Sequence, residues 1–306
     1  MDISEFLGGK FLKIIIGICY ILLLILLTTS IIKNLSETLR TIYFKTSPIL
    51  FITLFFIASS IISNRFSLKV IAKANLIIAP IIFFSIIVIL ASSVKNFMPE
   101  RIFPILGYGV DKTFLSGLTN IFSFSGMLYL LFLPPLLDKP NKLKRMSIIA
   151  VIISGFYLLL SVTCLLLSLS FTMHSDESFS LYVLTRNLEY GRFIQRVDAI
   201  FILVWILSII SYINIPISIC IHLFKKLTKI SDTNSFNYSL NLFILALVII
   251  PIQYAIFTNI ISKIVQYSFL ILFFGISLPI LISASLKLKF INIKKGSIWK
   301  LNLKRH

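Results

Sequence analysis

Long, nearly uninterrupted apolar runs, recurring along the chain with short polar gaps between them, restrict its fold more than any other feature. The run from Ile14 to Leu27 contains no charged residue at all. A bilayer core about 30 Å thick is crossed by about 20 apolar residues in an α-helix. No water reaches that core to satisfy backbone N–H and C=O groups, so a spanning segment must be a helix or part of a closed barrel. Barrel strands read as segments of about ten residues with alternating polarity, and Ile14 to Leu27 does not alternate. The sequence therefore predicts an all-α, polytopic transmembrane helix bundle. Composition agrees, since 58% hydrophobic residues and a mean hydropathy of +1.00 exceed what a soluble domain carries.

Set against their polar punctuation, the runs predict about eight spans. They lie near Phe11 to Ile32, Pro48 to Ile62, Val70 to Ser92, Thr113 to Leu137, Ser147 to Phe171, Ala199 to Leu223, Leu240 to Thr258 and Ile264 to Ser285. Residues 1–285 then form one transmembrane domain, and 286–306 a basic tail. Ser47-Pro48 suits the opening of the second span, because proline tolerates the first helical position. Pro80, Pro216, Pro251 and Pro279 fall inside expected spans, where each removes a backbone bond and favours a bend. The start, Met1-Asp-Ile-Ser-Glu5, lacks a basic region before the first apolar run, so no cleaved signal peptide is expected.

A net charge of +18 raises the question of nucleic acid. The cations, however, sit in the gaps and the tail, which is how cytoplasmic loops orient helices; nucleic acid is not expected as a partner. Lys139, Lys142, Lys144 and Arg145 mark one loop as cytoplasmic, while Asp176, Glu177 and Glu189 mark the next as external. Alternation puts Arg65, Lys69, Lys225, Lys226 and Lys229 inside, and both termini with them. The stretch from Lys33 to Lys45 runs against this scheme.

Cys19, Cys164 and Cys220 each lie in an expected span, too scattered for ligand spacing. His174, His222 and His306 are equally isolated. No metal site and no cofactor are expected. Without a phosphate-cradling loop, a zinc-protease motif or a nucleophile with its base, the chain does not read as an enzyme.

Two segments could carry function. In the fourth span, Asn120, Ser123, Ser125 and Gly126 gather within an apolar helix; Gly126 weakens it and the serines can bond to backbone. Interrupted helices at mid-membrane present free backbone groups to ligands in secondary transporters. Small residues also permit close helix packing, so both readings stand at this level. Phe122, Ser123, Ser125, Gly126 and Tyr129 are the ligand-contact candidates, with Tyr20 of the first span added. The second segment, Gly191 to Trp205, carries Arg192, Arg196 and Asp198 into the head of the sixth span. Charges there need partners, and a structural or gating role is expected of them.

Taken in order, several motifs resemble the B subunits of spore germinant receptors, a branch of the amino acid-polyamine-organocation superfamily. They are Gly8-Gly-Lys10, Ser47-Pro48, Phe103-Pro-Ile-Leu-Gly-Tyr-Gly109, Gly117, Phe122-Ser-Phe-Ser-Gly126, Pro134-Pro135, and Arg196-Val-Asp198 leading to Trp205. The resemblance covers nearly the whole chain and implies a leucine-transporter-like fold. It implies a small nutrient ligand such as an amino acid, partnership with A and C receptor subunits, and residence in the spore inner membrane. Family members have ten spans, so by resemblance the chain lacks the first two, and its fourth span corresponds to the family's broken sixth helix. Met127 stands where the family often has an acidic residue, which removes a charge that an amino group could meet. An autonomous amino-acid permease, or an inactive shortened chain, are the alternatives this resemblance leaves open.

Overall fold

The computed structural model describes residues 2–103, 109–133, 143–169, 183–185, 197–230, 232–250 and 254–287, and all regular structure among them is helical. We number the α-helices α1 (Asp2–Ile42), α2 (Ile49–Ser63), α3 (Leu68–Ser92), α4 (Val110–Thr119), α5 (Leu143–Ser168), α6 (Val197–Thr228), α7 (Asn234–Ile249) and α8 (Tyr254–Leu270). A 3₁₀ segment, Asn120–Leu131, continues α4, and a π segment, Ile271–Ser277, continues α8 into a helix that ends at Lys287. Each expected span coincides with one of these helices. Six are long and apolar enough to cross a membrane, whereas α2 and α7 are apolar but shorter, at 15 and 16 residues. At 1.5 Å per residue those two reach only about 22–24 Å.

Some boundaries differ from the sequence expectation, for local reasons. The seventh helix begins at Asn234 and stops at Ile249, not near Thr258. Ile250 turns extended (ψ 126°) directly before Pro251, as expected for a residue whose α conformation clashes with a following proline ring. The described part of the helix ends before Pro251, which itself lies outside the described residues; Pro80 and Pro216 do lie within α3 and α6. In α8 the chain widens into the π segment just before Pro279, whose missing N–H and bulky ring disfavour regular α packing. Near its start α1 is interrupted at Gly8 and Gly9, the latter at φ 71°, a conformation that glycine adopts without strain.

The main core forms around α1, whose Leu23, Leu24, Leu27, Ile32 and Leu35 are almost wholly inaccessible. Buried residues of α2 (Phe56, Ile57), α6 (Ile213, Ile217), α7 (Ile244, Val248) and α8 (Val265, Phe269) join them, with Leu128 of the 3₁₀ segment. Packing among apolar helices in lipid is reinforced by polar contacts, and several occur here. Thr53 donates to Ser36 Oγ at 3.1 Å, Asn237 to the Ile61 carbonyl at 3.1 Å, and Ser218 to Asn64 Oδ1. Lys33 is buried and donates to the carbonyls of Val248 (2.7 Å) and Ile250 (3.3 Å), closing the C-terminal end of α7 where the helix dipole favours a cation. At the other end of the bundle, Lys287 donates to the Phe6 carbonyl at 3.2 Å, so the described N- and C-terminal ends meet.

α3 packs on α6, while α5 touches the rest chiefly through its end. There Arg101 donates to the Ser168 carbonyl at 2.5 Å, and Met98 N–H to that of Leu167 at 3.0 Å, satisfying terminal carbonyls of α5. The faces of α3 and α5 are otherwise largely exposed, as lipid-facing helices would be.

Candidate functional site

The fourth span changes character at Asn120. Ten residues of α-helix give way to twelve of 3₁₀, with Phe124 off helical geometry at φ −95°, ψ 24°. Runs of 3₁₀ this long are uncommon and mark strain or a functional joint. Gly126, with no atom near its missing side-chain position, and serines that compete for backbone bonds account for the weak α preference.

Beside this joint lies a cavity of about 640 Å³, walled by α1 (Leu27, Ser30, Ile31, Asn34), the 3₁₀ segment (Phe122, Ser123, Ser125), α6 (Ser208, Ile209, Tyr212) and α8 (Ser262, Val265). A second cavity of about 300 Å³ lies on the α5 side of the same segment, lined by Gly126, Met127, Ser147 and Ser154 among others. Ser123, Ser125 and Tyr212 border both, and the Ser125 and Tyr212 hydroxyls are 3.4 Å apart. Tyr212 is also four residues before Pro216, which has no N–H, so the usual helical bond to the Tyr212 carbonyl is not made.

The larger cavity therefore offers five serine hydroxyls, a tyrosine hydroxyl and the amide of Asn34, whose Oδ1 is buried without a hydrogen-bond partner. Phe122, set edge-on to Phe269 with ring centroids 5.7 Å apart, adds an aromatic wall. Among the described residues, none in either lining carries a formal charge. Chemically, such a surface can hydrogen-bond to a small polar molecule and stack against its apolar parts, the pattern of a small-molecule pocket. Among the described lining residues no nucleophile is paired with a base. Among the described residues no three His, Cys, Asp or Glu side chains converge to hold a metal.

Of the sequence candidates, Phe122, Ser123 and Ser125 line the larger cavity, and Gly126 the smaller. Tyr129 is buried behind them, its ring tilted against Tyr212 at 6.2 Å. Tyr20 is placed elsewhere: its hydroxyl meets Ser277 Oγ and the Leu272 carbonyl (3.3 Å), and its ring stands edge-on to Phe132 at 5.0 Å. Tyr20 thereby ties α1 to the π segment and lines neither cavity. Arg192 and Arg196 lie outside the described residues, as do Pro134 and Pro135, and Asp198 belongs to the first turn of α6. Trp205 stacks on Phe201 at 5.9 Å.

Sequence reasoning missed Asn34, Ser208, Tyr212 and Ser262. A signal existed for two of them, since Ser208, Ser211, Tyr212 and Asn214 crowd into one apolar span just before Pro216. Asn34 was hidden because it stood next to Lys33, in a stretch taken for a loop.

A family model described as "Spore germination protein" matches residues 1–252, which include every wall of the cavities except α8. Spore germination protein KB of Bacillus subtilis (strain 168) is 22% identical over 211 residues, covering 67% of this chain and 56% of that protein. The chain thus spans little more than half the length of this relative. No solved structure matches the chain.

Proposed function

The chain belongs to the spore germination protein family and is an integral membrane protein; from that premise we propose that it is the membrane subunit of a receptor that binds a small nutrient, such as an amino acid, and triggers spore germination. The observation that carries this reading is the break in the fourth span beside an uncharged, hydroxyl-lined cavity, with Ser123, Ser125 and Tyr212 at the joint. A ligand there signals if it binds two arrangements of the bundle unequally, and the long 3₁₀ segment, whose Ser125 hydroxyl lies 3.4 Å from that of Tyr212 on α6, is a suitable element to rearrange. Germinant-receptor A and C subunits are its proposed partners, and the spore inner membrane its proposed location.

The proposed orientation has both ends of the chain in the cytoplasm. Its main exception, the cluster from Lys33 to Lys45, is weakened by two contacts: Lys33 is buried as the cap of α7, and Arg40 faces Glu37 at 3.6 Å.

Gene deletion is expected to remove germination to at least one nutrient, and Tyr212→Phe and Ser125→Ala to raise the nutrient concentration needed for half-maximal germination with protein level unchanged. Unaltered responses of the deletion strain across a broad nutrient panel would reject a non-redundant receptor role. Substrate-dependent uptake into liposomes by the purified chain would favour the permease alternative over a sensor.

A further inference from the structure

A third cavity, of about 460 Å³, lies at the opposite end of the bundle from the Lys33 cap, where α2 turns into α3 and α6 into α7. Arg65, Lys69, His222 and Lys225 line it, and among the described lining residues none carries a carboxylate. Asp232, next to the lining residue Thr233 in sequence, accepts from the amide of Asn234 through Oδ1 at 2.9 Å. Arg65 is held at the mouth by Tyr238, through a bond to its hydroxyl and a position 5.5 Å over its ring. The cavity also takes in Ser67 and Leu68 at the start of α3, a helix whose first turn receives no side-chain cap. Three cations, Arg65 and Lys69 from the α2–α3 connection and Lys225 from the end of α6, thus stand with His222 around an open hollow beside the positive end of a helix, which is the chemistry that attracts an anion.

We propose that this cavity binds a phosphate group, carried by an anionic phospholipid of the surrounding leaflet. The neighbouring surface fits that source. Phe66, which lines the cavity, is 58% exposed, and Val70, Leu76 and Ile77 continue an exposed apolar strip along α3 on which acyl chains can lie. Basic pockets between transmembrane helices take up such head groups by the same physics. The site is independent of the proposed nutrient cavity, sharing no lining residue with it.

The test uses the full chain purified in detergent, with native mass spectrometry counting retained lipid. Phosphatidylglycerol and phosphatidylcholine of matched acyl chains are offered separately, and inorganic phosphate is added as a soluble competitor. The unaltered chain is expected to retain phosphatidylglycerol preferentially. Lys69→Gln with Lys225→Gln should weaken that retention about 25-fold, from roughly fivefold per cation, whereas Lys10→Gln with Lys112→Gln, an equal charge change at exposed positions elsewhere, should not. If inorganic phosphate displaces the lipid from the unaltered chain, or protects it from thermal unfolding without any lipid preference, the phosphate chemistry stands and its source is soluble. Equal retention of the two lipids with no effect of phosphate overturns the proposal, and so does a Lys69/Lys225 variant indistinguishable from its control. The lipid comparison on the unaltered chain holds even if a variant fails to fold.

Discussion

α1 and α5 are equally convincing as membrane spans in sequence, yet their surroundings differ sharply. Half of the residues in the apolar stretch of α1 are buried within the protein, against 6% in that of α5. α1 is enclosed by α2, α6, α7 and α8, and its polar residues are used as fasteners: Lys33 on α7, Ser36 on α2, Tyr20 on the π segment. α5 is fastened near its C-terminal end by Arg101 and Met98, and Gly155 approaches Phe124 of the 3₁₀ segment at its middle. In lipid an apolar face gains little by leaving hydrocarbon for protein, so close packing and polar contacts hold helices together. Where fasteners are dense the bundle is firm, and where they are sparse a helix mainly faces lipid.

That contrast can be broken by substitution. Phe56→Ala, removing one of the largest fully buried side chains, should cost about 3–5 kcal/mol and lower the unfolding temperature in detergent most. Lys33→Met should follow at about 1.5–3 kcal/mol, because the Val248 and Ile250 carbonyls lose a charged donor; reaction of the buried Cys220 thiol with a maleimide during a thermal ramp gives a readout. Asn64→Leu, which unties α2 from Ser218 of α6, should cost about 0.6–1.7 kcal/mol by the same assay. The smallest effect, within about 0.5 kcal/mol, is expected of Phe156→Ala in α5, whose ring is 67% exposed. Equal losses for Phe56→Ala and Phe156→Ala would erase the distinction between the two regions.

Much of the fold was legible because hydrophobic length is a one-dimensional property: every expected span has its helix. The weak centre of the fourth span was legible as well, since Ser123, Ser125 and Gly126 disfavour α geometry wherever they occur. Other features were not. Tyr20 and Tyr212 are both tyrosines in apolar runs, and although polar residues crowd around Tyr212 in sequence, only packing decides that the first bonds to Ser277 while the second borders two cavities. Lys33 looked like a loop charge because its solvation depends on carbonyls more than two hundred positions away.

The sequence alone determined that this is a helical membrane protein and roughly where its helices run, and it marked the fourth span as weakly helical while leaving close packing as the other reading, because bilayer thickness and local backbone preference act on consecutive residues. Only the tertiary structure decided which helices form the core, that Tyr212 and Asn34 share a cavity with Ser125, and that Arg65, Lys69 and Lys225, from two separate turns, line one hollow. Those outcomes depend on which faces meet in three dimensions, and a face acquires its neighbours only when distant segments pack.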